Sequence, residues 1–351
     1  MKPVQLLDPE GHLHEDPRWP LDLTPELGRD FYRRMLLARR FDDEALALQR
    51  QGELGLWLQS LGQEAAQIGS ITALRPDDHV FPSYREHPAA LCRGIPPAEL
   101  LVQWRGNRHS GWDPGRYRFH IYTLVLAAQL PHATGYAMGV QRDGSDEIVA
   151  AYFGDGSTSQ GEANEALNWA AVAGVPLLFF CQNNGWAIST PATAQMRVPI
   201  HQRAAGFGLD AHIVDGNDVL AVHAVTRALA EQIRAGGGPA LIEAVTYRLA
   251  GHSTSDDPTR YRTPSEQDSW KARDPITRLE MLLAREGWLD DEFRAEVDAE
   301  CAALADETRT VCRELPLGDV SSLFGTVFAE ETSALAAERR QYEQLVASYA
   351  D

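Results

Sequence analysis

The stretch FGDGSTSQGE, residues 153–162, ends an apolar run and turns on Gly154, Asp155 and Gly156. A strand that ends in glycines and passes into a helix can bring backbone N–H groups up to a phosphate. Asp155 is out of place in such a cradle, because an unpaired carboxylate repels a phosphate. A divalent cation removes the conflict: Mg²⁺ takes hard oxygen ligands and bridges carboxylate to phosphate. Asp155 then supplies one oxygen. The side-chain oxygen of Asn184, in QNNGW 29 residues later, and a nearby backbone carbonyl add two more. Two diphosphate oxygens and a water complete an octahedron. Gly156 and Ser157, at the start of the following helix, offer N–H groups to the phosphates.

Two plainer readings compete. Asp-Gly is a common turn pair, and a strand ending in Gly-Asp-Gly can simply be turning. A dinucleotide fold would need G-x-G-x-x-G between strand and helix. Gly154 and Gly156 fit that pattern, but the third glycine position is Ser159 and the next glycine is Gly161. A nicotinamide oxidoreductase is therefore disfavoured.

The elements that must position these residues follow from periodicity. IVAAYFG (148–154), PLLFFCQ (176–182), HIVDGND (212–218) and ALIEAVTYRL (240–249) read as strands, and VFPSYREH (80–87) as a strand end with a polar loop. Helical spacing runs over 25–51, 62–74, 160–173 and 219–234, with further helix after about 265 and a final amphipathic stretch over 330–348. Residues 106–121, GNRHSGWDPGRYRFHI, read as an exposed or ligand-facing loop. Strand–helix–strand alternation implies an α/β fold with a doubly wound, mostly parallel sheet. Ligands of such sheets lie beyond the carboxyl ends of the strands, where Gly154 and Asn183 stand. The chain divides into an irregular arm (1–24), an α/β diphosphate-binding domain (25–320) and a C-terminal helical extension (321–351).

Composition bounds the partners. The 351 residues carry a formal charge of −18, 44% hydrophobic residues and 23% charged ones. That charge argues against nucleic acid or an anionic membrane as a bulk partner. The four cysteines, Cys92, Cys181, Cys301 and Cys312, form no CxxC, and Cys181 lies in an apolar run as a core thiol. A reducing cytoplasm is expected. No stretch reaches the length of a membrane span, and the N-terminus has no signal or transit character.

With GDG, 26 intervening residues and then NN, the chain carries the thiamine-diphosphate motif. Its flanks resemble the E1 α subunits of 2-oxo acid dehydrogenase complexes, from about residue 30 to 300. GDGSTSQGEANEALNWAAVAGVPLLFFCQNNGWAISTP and GHSTSDDPTRYRTPSEQDSW (251–270) are most similar to the branched-chain 2-oxo acid dehydrogenase α subunit. The pyruvate-specific and acetoin dehydrogenase α subunits share the same features.

The resemblance implies thiamine diphosphate and Mg²⁺ as cofactors. The metal ligands it implies are Asp155, Asn184 and the carbonyl of Trp186, where the family usually has Tyr. It assigns Tyr84 and Arg85 of FPSYREH to the diphosphate; a loop ion pair with Glu86 is the alternative role for Arg85. His252 matches a loop histidine implicated in passing the acyl group to lipoamide, a step suited to a side chain that titrates near neutrality. Leu126 matches the hydrophobic residue that bends the cofactor; a core leucine is the alternative. Gly154, Gly156, Ser157 and Ile188 complete the implied cofactor contacts. Ser253 stands where eukaryotic relatives are phosphorylated, which by itself shows no regulation. Gln182 stands where some relatives have Arg, which weakens one diphosphate contact. The segment before Leu126 is shorter than usual, His120 is the candidate for a family histidine there, and no potassium site is expected. A degenerate subunit would have a broken site, but Asp155, Asn184, Arg85 and His252 are all present.

The reaction implied is oxidative decarboxylation of a 2-oxo acid with acyl transfer to the lipoyl group of an E2 acyltransferase. The activating glutamate is expected from a separate E1 β chain, in an α₂β₂ assembly with the cofactor between the chains.

Overall fold

The computed structural model describes residues 2–316, 320–325 and 327–349. Its centre is a parallel sheet of five strands: β1 (His79–Phe81), β2 (Val149–Gly154), β3 (Leu177–Asn183), β4 (Asp210–Asp215) and β5 (Ala240–Val245). In space they run β1, β2, β3, β5, β4. The near-continuous apolar runs of β2 and β3 are those of strands covered on both faces.

Two cores confirm the layering. Val149, Ala151 and Phe153 of β2 join one hydrophobic cluster with Leu177, Phe179 and Cys181 of β3. Ala150, Tyr152, Leu178 and Phe180 join the other. The side-chain period of two thus splits each strand between the faces. Helices α3 (Gln129–Asp143) and α4 (Gly161–Ala173) cover the first face. Helices α1 (Pro25–Arg50), α2 (Glu64–Ala73) and α5 (Val219–Gln232) cover the second. A Cβ on Gly69 of α2 would lie 2.8 Å from the carbonyl oxygen of Val219, so glycine there sets how closely α2 and α5 approach. Helices α6 (Pro275–Arg285) and α7 (Asp291–Glu314) add to the second layer, and α8 (Ser333–Ala347) closes the described chain.

Asp218 anchors the N-terminal arm. Its Oδ1 caps α5 by accepting from Leu220 and Ala221 N–H, and its Oδ2 accepts from the N–H groups of Leu6 and Leu7 at 2.6 and 2.7 Å. Val4 adds a bridge to Val214 of β4. The segment 106–121 is largely exposed or half-buried, as expected of a loop, but Trp112 and Phe119 are buried and none of its residues lines the cavity at the strand ends. Those two large rings gain by burial.

Candidate active site

Register aligns the strand ends. Gly154 pairs with Gln182, and Asn183 with Val245, so the chain leaves β2, β3 and β5 at one level. A cavity of about 410 Å³ opens there, where open α/β sheets hold ligands. The segment after β1 brings Tyr84 and Arg85, that after β2 brings Asp155, Gly156 and Ser157, and that after β3 brings Asn184, Trp186 and Ile188. The segment after β5 brings Arg248 and His252. All of them line the cavity, together with Gly154 and Leu126.

Gly156 and Ser157 are not in the following helix. Asp155–Ser159 is a 3₁₀ turn, and α4 begins only at Gly161. Gln160 is extended between them (φ −88°, ψ 145°), which breaks the helix before the turn.

One side of the cavity is cationic. Arg85 and Arg248 are 5% and 1% exposed, yet neither forms an ion pair among the described residues. Arg85 donates to the carbonyls of Gln59 at 2.5 Å and His252 at 2.8 Å. Its side chain therefore does not pair with Glu86, which instead accepts from Ser83, Gln182 and the Arg85 backbone N–H. Arg248 donates to the carbonyls of Trp186 (3.3 Å) and Ile188 (2.8 Å) and to the Tyr261 hydroxyl (3.1 Å). Burial, with Arg85 and Arg262 nearby, lowers its pKa to about 10.

His252 sits between the two guanidinium groups. Its Nδ1 is 3.3 Å from Arg248 Nη1 and 3.5 Å from Arg85 Nη2. Burial, then Arg85 and Arg248, hold its pKa down to about 4. The sequence suggests a histidine titrating near neutrality; burial first, and the two positive neighbours after it, favour the neutral imidazole instead.

The same cavity carries oxygens. Asp155 is buried, and burial raises its pKa. Hydrogen bonds from Gln195, its own backbone N–H and that of Asn184 offset part of this, as does Arg248. The Asn184 amide donates to Gln63 Oε1 (3.1 Å), and its oxygen accepts from Trp186 N–H (3.2 Å). Among the described residues no cluster of three or more His, Cys, Asp or Glu can hold a metal. One carboxylate, one amide oxygen and one carbonyl form instead a hard, singly charged oxygen set, suited to Mg²⁺ that shares its shell with phosphate. Glycine lets the turn pack closely here: a Cβ on Gly156 would lie 2.9 Å from Ala187 Cβ.

The mouth is apolar. Leu56, Leu58, Leu124, Leu126 and Ile188 line it, and Leu124, Leu126 and Ile188 stay exposed. Ile188 has φ +55°, a left-handed conformation costly for a β-branched residue. Its carbonyl is held there by Arg248.

Three residues considered from the sequence do other work. Both ends of the Gln182 amide are committed, accepting from Gln67 (3.0 Å) and donating to Glu86 (2.6 Å). His120 lies in a separate hollow with His79 and His132. Ser253 is on the loop but does not line the cavity. Arg248 was missed, hidden in a run read as strand to residue 249; β5 stops at Val245. The signal was an arginine at the end of an otherwise apolar strand.

Comparison with known proteins agrees with this geometry. A family model described as dehydrogenase E1 component matches residues 32–316. The chain is 44% identical to the 3-methyl-2-oxobutanoate dehydrogenase subunit alpha of Mycobacterium tuberculosis, over 97% of this chain and 93% of that one. It is 34% identical to the mitochondrial 2-oxoisovalerate dehydrogenase subunit alpha 2 of Arabidopsis thaliana, over 98% of this chain and 75% of that one. It is also 34% identical to the pyruvate dehydrogenase E1 component subunit alpha of Staphylococcus aureus, over 97% and 92%. By the match over residues 32–316 and the 44% identity over nearly its whole length, the chain belongs to the dehydrogenase E1 component family.

Proposed function

We propose that this chain is the α subunit of a branched-chain 2-oxo acid dehydrogenase E1, working with thiamine diphosphate and Mg²⁺. It would oxidatively decarboxylate branched-chain 2-oxo acids and pass the acyl group to a lipoyl-bearing E2. One observation carries the reading: two buried guanidinium groups that form no ion pair among the described residues line the same cavity as a buried carboxylate. Buried charge demands compensation. A diphosphate compensates the arginines, and a divalent cation compensates Asp155.

On this reading Asp155, Asn184 and the Trp186 carbonyl hold Mg²⁺. Arg85, with Tyr84 beside it, binds the diphosphate, and Arg248 adds charge and fixes the Trp186 and Ile188 carbonyls. When bound, the cofactor supplies the electron sink for decarboxylation. His252 presents Nδ1 as acceptor to the guanidinium groups, so the neutral ring carries its hydrogen on Nε2. An anion on the arginines would relieve the part of the His252 pKa depression that comes from their charge, the larger part coming from burial. Leu126 and Ile188 supply apolar surface against the cofactor. The leucine-rich mouth favours a branched aliphatic acyl chain, as do the names of the two branched-chain relatives.

The cavity's own carboxylates are Asp155 and Glu86. The first belongs to the metal, and the second is tied to Ser83 and Gln182. A further carboxylate must come from outside, which supports an E1 β partner across the exposed mouth and an α₂β₂ assembly. Residues 25–320 then form the diphosphate-binding domain, flanked by the arm 1–24 and the extension 321–351.

The test is to produce the chain with its β partner and follow 2-oxo acid-dependent reduction of an artificial electron acceptor, with and without cofactor and Mg²⁺. Turnover favouring 2-oxoisovalerate or 4-methyl-2-oxopentanoate over pyruvate, abolished by Asp155→Ala, is expected. Preference for pyruvate would move the chain to the pyruvate complex. No turnover by the assembled complex would sink the reading.

A further inference from the structure

Gln195 closes a short helix, Ala192–Gln195, that follows the hairpin of Trp186–Ala187 and Thr190–Pro191. It is not a cavity-lining residue, but its amide reaches the base of the site. Nε2 donates to Asp155 Oδ2 at 2.9 Å and to the Thr190 carbonyl at 3.2 Å. Both partners are acceptors, so the NH₂ end must face them and the orientation of the amide is fixed by chemistry. Its Oε1 is then buried with no hydrogen-bond partner. That oxygen lies 3.8 Å from where a Cβ on Gly156 would stand, and Gly156 lines the cavity. Buried polar atoms are almost always paired, so an orphan at this spot marks a donor that arrives when the site fills.

We propose that Gln195 is a positioning residue of the cation site. It binds one carboxylate oxygen of Asp155 and thereby leaves the other for the metal. Its own free oxygen accepts a hydrogen bond from the ligand shell of the bound cation. Partners that orient a metal-ligating carboxylate commonly change affinity by 10–100-fold when removed. The alternative is a purely structural role, in which the amide only ties the hairpin to the 3₁₀ turn through Thr190 and Asp155.

This inference rests on the cofactor reading above, and its test separates the two. Binding of Mg²⁺ is titrated at saturating thiamine diphosphate in the assembled αβ complex, read by tryptophan fluorescence and by calorimetry, for wild type, Gln195→Leu and Gln195→Glu. Thermal midpoints are taken without Mg²⁺ and cofactor. Gln195→Leu loses both halves of the interaction and is expected to weaken apparent Mg²⁺ affinity by about 10-fold or more, whether or not the thermal midpoint falls. Gln195→Glu keeps the shape but sets a second carboxylate against Asp155, a repulsion that the cation relieves, so its affinity is expected to shift by a similar factor in the opposite direction. If Gln195→Leu fails to assemble, the near-isosteric Gln195→Glu carries the test. Mg²⁺ affinity within twofold of wild type, with only the midpoint lowered, would overturn the positioning role and leave the cofactor reading intact. A wild-type complex that binds no Mg²⁺ with thiamine diphosphate would overturn both.

Discussion

Asp42 and Trp57 are joined by a buried hydrogen bond, Nε1 to Oδ1 at 2.7 Å, which ties helix α1 to the rim of the cavity. The second Asp42 oxygen accepts from Ser60 N–H at 3.0 Å. Trp57 in turn exchanges hydrogen bonds with Thr254, N–H to Oγ1 at 3.2 Å and carbonyl to N–H at 3.0 Å. Its ring stacks on His87 at 4.3 Å. Leu56 and Leu58, the neighbours of Trp57, line the cavity, and Thr254 is two residues from His252.

Asp42→Asn is expected to destabilise the chain and to do so less as pH rises. The amide oxygen can still accept from Trp57, but the amide nitrogen then faces the Ser60 N–H. A donor left against a donor costs about 1–3 kcal/mol. Burial pushes the Asp42 carboxyl from 3.8 up to about 7. A raised folded pKa gives stability that is complete below about 4 and lost as pH climbs through 7. Asparagine has no such loss, so the gap to wild type narrows between pH 5 and pH 8. Urea unfolding at those two pH values measures it, and a gap that widened would show the carboxylate to be the stabilising form.

His87 carries the opposite slope. Burial lowers its pKa from 6.5 to about 3, so its contribution is full above 6.5 and lost as pH falls toward 3. His87→Gln should flatten the dependence of stability on pH by about 1.4 kcal/mol per unit between pH 4 and 6, the value of one proton. An unchanged slope in denaturant titrations would show that His87 is not held neutral.

Arg85→Lys should weaken thiamine diphosphate binding by about 10–100-fold, the equivalent of one or two charged hydrogen bonds. An ammonium cannot span the Gln59 and His252 carbonyls and still present a planar fork to a diphosphate. Calorimetric titration of the αβ complex reads this directly; affinity within twofold of wild type would remove Arg85 from the site.

Gly156→Ala places a methyl 2.9 Å from Ala187 Cβ. Overpacking of this kind costs about 1–3 kcal/mol, and it falls between the two strand ends that carry Asp155 and Asn184. Cofactor affinity should drop, and the double variant Gly156→Ala with Ala187→Gly should recover most of it, because the pair shares one contact. Absence of recovery would locate the effect in the backbone of the turn instead.

The sheet was legible in the chain because its strands are continuous apolar runs and its helices carry a clear 3.6-residue period. Asp155 and Asn184 were legible too: the repulsion between a carboxylate and a phosphate has few resolutions, and the spacing to the next strand end supplied one. What escaped was set by distance in the chain. Arg248 was absorbed into a strand that stops three residues earlier, and Gln195 sits in a four-residue helix without periodicity. The charge state of His252 depends on Arg85, 167 residues away, and no local pattern records that. Glycine and charge marked 106–121 as a loop, and much of it is exposed; the burial of Trp112, packed against Tyr122, escaped that reading.

Two arginines converge on one neutral histidine, and neither forms an ion pair among the described residues. An anion bound between them would compensate that charge and add to the stability of the fold. A ligand present at 100 times its dissociation constant adds about 2.7 kcal/mol by mass action alone, enough to change the unfolded fraction roughly 100-fold. Supply of the cofactor would then set how long each copy survives proteases and chaperones as well as how fast it turns over. A cell short of thiamine would lose the protein along with its activity.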